Sequence, residues 1–188
     1  MRCSLLCLIV ASLPLAGCLK PPPVVGVEEP MSVSVATVLE SVDQPWVVSA
    51  PDAVVARLND ELVRRNLSPI APSDEVLSTF AAIRSTAGRL EQLALDPPAP
   101  LLVLIEATPR FSAQVNGRYR WSVQAEISIA PSAMTSPATT ESFTIPAHLI
   151  YSHQAEAEAL AEASPVVARQ LGRMLDEWIH SEGLAPAP

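Results

Sequence analysis

The chain has 188 residues, of which 49% are hydrophobic, and a formal net charge of −8 at pH 7. This length suits one domain with a single sizeable core. An acidic chain with one lysine and no cluster of basic residues lacks the charge pattern of a nucleic-acid-binding protein. The same charge makes the folded domain unsuited to binding an anionic membrane surface electrostatically.

Residues 1–17 have the layout of a secretory signal peptide. Arg2 provides a basic start, and the apolar stretch that follows is shorter than the about 20 residues that a helix needs to span a bilayer. It ends in the sequence LAGC, which resembles the bacterial lipobox. This resemblance implies that residues 1–17 are removed and that Cys18 is acylated. The alternative is a plain signal peptide with an incidental cysteine.

The cysteines agree with this interpretation. All three of them, Cys3, Cys7 and Cys18, lie at or before the predicted cleavage site. The mature chain would therefore have no thiol for a disulfide or a cysteine-based metal site. Leu19 follows the acylated cysteine where an aspartate would favour the inner membrane. By analogy, we expect the periplasmic face of the outer membrane, with the inner membrane as the alternative.

Residues 18–30 are predicted to be a tether that starts at the acylated cysteine. Residues 19–30, LKPPPVVGVEEP, hold four prolines and have no periodic apolar pattern. A proline-rich segment favours extended geometry and would reach about 40 Å. The folded domain is therefore expected to work close to its membrane.

The first half of the folded domain is predicted to contain a strand and two helices. Residues 31–39 alternate apolar and smaller side chains, which favours a strand. A helix is predicted from Ser49, as N-cap, to about Asn66, and a second helix is predicted for residues 73–95. The segment between them, LSPIAPS, is either a short strand or a loop. The apolar faces of the two helices comprise Val54, Val55, Leu58 and Leu62, and Val76, Phe80, Ile83, Ala87 and Leu90.

The second half is predicted to contain three strands and a last helix. Residues 101–108 form a continuous apolar run, which is typical of a buried central strand. Asn116-Gly117 predicts a hairpin, because a type I′ turn needs positive φ at both positions. Pro146 assigns the next strand to a sheet edge. Ser164-Pro165 is predicted to open the last helix. The buried face of the strand after the turn comprises Tyr119, Trp121, Val123, Ala125, Ile127 and Ile129.

This order of elements predicts an α+β fold. The sheet is expected to be mostly antiparallel, with four to five strands, and about three helices are expected to pack on one face and leave a polar face open. A single periplasmic α/β domain is predicted for residues 31–182. Residues 183–188 are expected to be a disordered tail.

The order of elements behind the lipobox resembles a group of bacterial envelope domains. The group includes the N-terminal domain of the Tol-system propeller protein, the curli-secretion lipoprotein and lipoprotein activators of penicillin-binding proteins. The stretches that carry the resemblance are Asp52–Ser68, Leu101–Ile129 and Phe143–Trp178. Residues 118–175 also resemble the lipopolysaccharide-assembly lipoprotein that plugs an outer-membrane barrel. Both resemblances imply a non-enzymatic envelope lipoprotein.

Residues that could carry catalysis or bind a metal are few. Pairs of side chains one helical turn apart stand at His153-x-x-Glu156 and at Asp176 and His180, but neither pair has a third ligand or a nucleophile nearby. His148 is isolated. Glu106 stands in an apolar strand, where it is either a buried acid or a residue of the polar face. We therefore predict no enzyme, no cofactor and no metal site.

The candidate partner-binding residues are aromatic residues and arginines. Arg118, Tyr119, Arg120 and Trp121 follow the hairpin turn, and Trp46 lies before the first helix. Such residues are enriched at protein interfaces, although a solvated hairpin and a core tryptophan are the alternatives. The sequence thus predicts an adaptor or assembly factor for an envelope machine, with a barrel, secretion or peptidoglycan protein as partner. The alternative is binding and delivery of lipopolysaccharide or another envelope lipid or glycan.

Overall fold

The computed structural model describes residues 24–40, 47–96, 98–149 and 156–184. Within these ranges the strands are β1 Met31–Glu40, β2 Val47–Ser49, β3 Leu67–Ile70, β4 Leu101–Val115, β5 Arg118–Pro131 and β6 Thr139–Leu149. The helices are α1 Asp52–Val63, α2 Asp74–Thr79, α3 Thr86–Leu93 and α4 Glu156–Ser181. The predictions for Cys18, Trp46 and His153 lie outside the described residues.

The strands form one mixed sheet in the order β2-β1-β4-β5-β6, and β3 also pairs with β1. β1 runs parallel to β3 and β4, whereas the other pairs are antiparallel. β1 is buried over most of its length and β4 over about half of its length. The buried part of β4 is the apolar run that starts at Leu101, whereas β1 alternates apolar and small side chains. The fold class is thus the α+β class that the sequence predicts, and β6 lies at the predicted edge.

Helices cover both faces of the sheet. α1 and α4 lie on one face, over the larger core, which includes Leu58, Leu62, Val103 and Leu171. α2 and α3 lie on the other face, over a smaller core that includes Phe80. The sequence analysis placed the helices on one face. The second layer forms because β1 and β4 are apolar on both faces, and burying each fully covered leucine contributes about 1.5–3 kcal/mol.

The helix predicted for residues 73–95 is two short helices, α2 and α3. Ser73 caps α2 by accepting from the Val76 backbone N–H, as expected. Ser85 accepts from the Gly88 backbone N–H and starts a second helix. The buried Arg89 guanidinium donates to the carbonyls of Phe80 and Ile83 in the break. Ser85 as a second N-cap and Arg89 as a donor to carbonyls at the break therefore stabilise the interruption between the two helices.

The start of α1 also differs from the prediction. Its N-cap is Pro51, with no side-chain cap hydrogen bond. Ser49 does not cap the helix because it is the last residue of β2, where it pairs with Val38 of β1. The apolar face is as predicted, with Val54, Leu58 and Leu62 buried.

The last helix, α4, begins before Ser164-Pro165 and continues through it. A proline inside a helix leaves the carbonyl four residues earlier without its backbone donor. Here that carbonyl, of Ala161, accepts from the Ser164 hydroxyl at 2.8 Å. The buried serine thus replaces the missing bond, which allows one helix of 26 residues.

The described part of the predicted tether packs against the domain. The Val27 backbone N–H donates to the Arg65 carbonyl at 3.0 Å, and the Asn66 side chain donates to the carbonyl of Val27. Residues 24–30 therefore lie at the end of the molecule where α1 stops and β1 starts. At the same end, Gly183 has a φ of 68° and ends α4, since the Leu184 N–H bonds the Ile179 carbonyl.

Candidate functional site

The best candidate site is the far end of the β4–β5 hairpin, residues 108–122, which we call the distal hairpin. The turn has φ values of 51° at Asn116 and 74° at Gly117, as the predicted type I′ turn requires. β1 pairs with β4 only as far as Ala107. Beyond that residue the described part of the sheet consists of β4, β5 and β6, so the distal hairpin extends past the last pair between β1 and β4.

One face of the distal hairpin is aromatic. Tyr119 and Trp121 are half-buried and pack against the larger core, which confirms their predicted face. Phe111 is 55% exposed. Its ring centroid lies 5.8 Å from that of Trp121, edge to face, and 6.4 Å from that of Tyr119. The Trp121 indole N–H is buried without a hydrogen-bond partner in the described structure. Phe111 therefore gives this face an exposed aromatic surface.

The other face is basic. Arg110, Arg118 and Arg120 are exposed, and Arg110 stands opposite Ser122, which places all three on one face by strand alternation. None of the three forms a hydrogen bond or salt bridge with a described residue, so their charges are available to another molecule.

A β-bulge in β4 determines the faces on which Phe111 and Arg110 lie. Near the turn the register pairs Ala113 with Arg120, but one position further Phe111, not Ser112, pairs with Trp121. The extra residue, Ser112, shifts every earlier residue of β4 by one position. Without the shift, Phe111 would face the arginine side and Arg110 would face the core side. The bulge therefore creates both faces of the distal hairpin.

Prolines lie in both strands that border this site. Pro109 is buried and lies in β4 beyond the last pair with β1, and the exposed Pro146 lies in the edge strand β6. A proline has no N–H to donate to an added strand, and a bulge also disrupts pairing. These edges are thus poorly suited to adding another strand, which favours contacts through side chains.

A second polar cluster lies on the α2–α3 side of the sheet. The Arg89 guanidinium is 5% exposed and pairs with Glu40 and Glu106. Thr86 lies 2.9 Å from carboxylate oxygens of both Glu106 and Glu126, which face each other on β4 and β5. The cluster lines a small polar cavity of about 180 Å³. Glu106 is therefore a partner of a buried arginine on the polar side of the sheet.

A third cluster joins α1 to α4. The Arg65 guanidinium, 4% exposed, donates to both carboxylate oxygens of Asp176, at 2.7 and 2.9 Å, and to Glu61 at 2.9 Å. Burial lowers the pKa of Arg65, but the hydrogen bonds to these two carboxylates outweigh it, and the pKa lies above its usual value. Asp176 is therefore the salt-bridge partner of Arg65. The structure shows no salt bridge between Asp176 and His180, and His180 is exposed.

The remaining metal candidates in the described part of the chain belong to different elements. Among the described residues, no group of three or more histidine, cysteine, aspartate or glutamate side chains could hold a metal ion. His148 belongs to β6, and Glu156 is the first residue of α4. In the part of the chain that the structure describes, no helix is both long and apolar enough to cross a membrane.

The sequence analysis missed Arg110 and Phe111. Both follow the run 101–108 that predicted β4, which is longer than that run and ends at Val115. The alternating residues before Asn116-Gly117 were a signal for a long strand. A count back from the turn would nevertheless have assigned both residues to the wrong faces, because the bulge at Ser112 leaves no mark in the sequence pattern.

Among known proteins, the chain is similar to solved structures. No family model matches the chain, and no curated protein matches it. Lipoprotein GNA1162 from Neisseria meningitidis is 18% identical over 77% of this chain and 99% of its own, with a TM-score of 0.41. A minor lipoprotein from Acinetobacter baumannii is 12% identical over 85% and 98%, with a TM-score of 0.39. The LpoB C-terminal domain from Salmonella enterica is 10% identical over 64% and 84%, with a TM-score of 0.35.

Bacterial lipoproteins are thus among the structures similar to this chain. This agrees with the group of proteins that the sequence resembles. Similarity at these identities and TM-scores assigns the chain neither a family nor a partner.

Proposed function

We propose that the chain is a non-enzymatic envelope lipoprotein that acts as an adaptor or assembly factor. Acyl chains on Cys18 hold it to a membrane, which we place at the periplasmic face of the outer membrane. The distal hairpin binds a protein of an envelope machine, such as a barrel, a secretion component or a peptidoglycan enzyme.

The observation that carries this proposal is the two-faced distal hairpin. It combines the exposed ring of Phe111 with three exposed arginines that have no partner among the described residues. Aromatic residues and arginine are enriched at protein interfaces and dominate their binding energy. The catalytic candidates, by contrast, are occupied within the fold, since Glu106 pairs with Arg89 and Asp176 pairs with Arg65.

Site-specific photocrosslinking of the full-length chain in cells tests the docking surface. Phe111 is replaced by p-benzoylphenylalanine, which keeps an aromatic ring at an exposed position, and adducts are identified by mass spectrometry. The control carries the same probe at Ile70 of β3, which is 37% exposed and lies outside the distal hairpin. We expect a discrete protein adduct from position 111 that is absent from position 70.

The membrane anchor is tested separately. Cys18→Ser is expected to abolish labelling of the chain by a radioactive or clickable fatty acid. Continued labelling would contradict lipidation at Cys18 without affecting the docking surface. Absence of any protein adduct from position 111 in the acylated chain would contradict the adaptor role.

A further inference from the structure

Resting on the proposed function, we propose that the partner of the distal hairpin is an acidic protein whose carboxylates bind Arg110, Arg118 and Arg120. The three arginines lie on one face of a projecting hairpin, are exposed, and have no ionic partner in the described structure. They are the specificity-determining residues of this interface.

The contrast with Arg65, Arg89 and Arg173 supports this inference. The chain holds 20 acidic and 12 basic residues, so carboxylates are in excess. Arg65, Arg89 and Arg173 are each paired with two of them. None of the described carboxylates nevertheless forms a salt bridge with Arg110, Arg118 or Arg120. The excess positive charge there is complementary to an acidic partner.

The spacing of the arginines indicates how the carboxylates are arranged. Arg118 and Arg120 are two positions apart on β5, which separates their Cα atoms by about 7 Å, and Arg110 continues the row on the neighbouring strand beside Ser122. Carboxylates at alternate positions of an extended segment repeat at the same interval. Positive charges at this interval can therefore pair in register with such a row of carboxylates.

The position of the arginines distinguishes a protein from the phosphates of the anchoring membrane. Residues 24–30 lie where β1 starts, beside the end of α1, and β4 runs from that end for 15 residues. The arginines therefore lie about 40 Å from the end that bears the tether. The segment from Cys18 to Val24 adds a reach of only about 20 Å. The anchored end and the basic end thus lie at opposite ends of the sheet.

The test measures the Phe111 photoadduct of the full-length chain in three backgrounds. In the first, the arginines are unchanged; in the second, all three are changed to glutamine (R110Q, R118Q, R120Q); in the third, all three are changed to lysine. We expect the adduct to fall about tenfold in the glutamine variant and to be largely retained in the lysine variant, because charge drives the contact.

The matched control is Arg169→Gln, which removes an exposed positive charge from α4 and should leave the adduct unchanged. Circular dichroism melting of the glutamine variant checks that its fold is intact. An undiminished adduct in the glutamine variant, an adduct to lipid instead of protein, or equal loss in the lysine variant overturns the inference. An undiminished adduct in the glutamine variant would leave the proposed function standing. Absence of a protein adduct from the chain that keeps all three arginines would contradict the proposed function itself.

Discussion

At the scale of single residues, buried and exposed arginines of this chain have different physical roles. Arg65 and Arg89 are buried, and carboxylates and backbone carbonyls use most of their donors. Taking such charges out of water is costly unless every partner is present. Arg118 and Arg120 are solvated and pay no such cost. Removal of a carboxylate partner of Arg65 or Arg89 should therefore destabilise the fold, whereas substitution of Arg118 or Arg120 should leave the stability nearly unchanged.

Asp176→Ala tests this difference at the α1–α4 contact. The variant leaves the Arg65 guanidinium buried with only Glu61 as its ionic partner. Breaking a buried pair costs about 3–5 kcal/mol, and because Asp176 is 31% exposed we expect a loss of about 2 kcal/mol in the free energy of unfolding. Urea denaturation followed by circular dichroism measures the change.

The control for that measurement is His180→Ala, one helical turn away on α4. His180 is exposed, so its removal should change the free energy of unfolding by less than about 0.5 kcal/mol. Equal losses for the two variants would mean that Asp176 and His180 act as a pair, contrary to the geometry.

At the scale of elements, the sequence predicted most of the fold where local patterns were strong. The Asn116-Gly117 turn, the alternation of β5 and the apolar face of α1 all have a signal within a few residues. The break between α2 and α3 does not, because the periodicity of Val76, Phe80 and Leu90 continues through it. Only the tertiary position of Arg89, which bonds the carbonyls in the break, shows that two helices are stable there.

The candidate site also could be predicted from the sequence only where the signal is local. Arg118, Tyr119, Arg120 and Trp121 could be identified because they directly follow a recognisable turn. The contribution of Phe111 depends on the bulge, which is a property of strand pairing. Sequence patterns do not report the register of one strand against another, so this residue could be assigned only from the structure.

Proline in α4 leads to a prediction for that helix. The Ser164 hydroxyl bonds the Ala161 carbonyl that Pro165 leaves without a donor, and it also accepts from Arg57 at 3.2 Å. Ser164→Ala should therefore lower the free energy of unfolding by about 1 kcal/mol, since a partly buried carbonyl loses its partner. Pro165→Ala should raise it, because the backbone N–H is restored.

A double-mutant cycle of Ser164→Ala and Pro165→Ala tests whether the serine compensates for the proline. In the Pro165→Ala background the backbone N–H of residue 165 bonds the Ala161 carbonyl, so Ser164→Ala should cost less than it does beside proline. Thermal and urea denaturation of the four proteins measure the coupling. Equal costs in both backgrounds would show that the serine does not compensate for the proline.

At the scale of the whole molecule, ion pairs of three arginines hold the layers of the fold together, and the arginines of the distal hairpin take no part in those contacts. Arg65 links α1 to α4, Arg89 links α3 to the sheet, and Arg173 of α4 binds Glu141 of β6. The last contact is the most solvent-exposed of the three and attaches the edge strand. Acid should therefore loosen the molecule first at this edge.

The pKa of Glu141 determines the direction in which this contact changes the stability with pH. The hydrogen bond from Arg173 lowers that pKa below its usual value of 4.5, although burial opposes the shift. A carboxylate with a lowered pKa stabilises the folded state above its unfolded pKa and loses that contribution as the pH falls through the folded value. The stabilisation should thus be complete above about pH 5 and decrease below 4.5.

Arg173→Gln should flatten the acid limb of the stability profile. Both side chains are partly exposed, at 43% for Arg173 and 33% for Glu141, so solvent screening limits the effect to less than about 1 kcal/mol. The measurement is the free energy of unfolding between pH 3 and 7 by urea titration, with Arg169→Gln on the same helix as control. A Glu141 contribution that grows on acidification, or an acid limb of the same steepness in both variants, would contradict this attachment of β6 to α4.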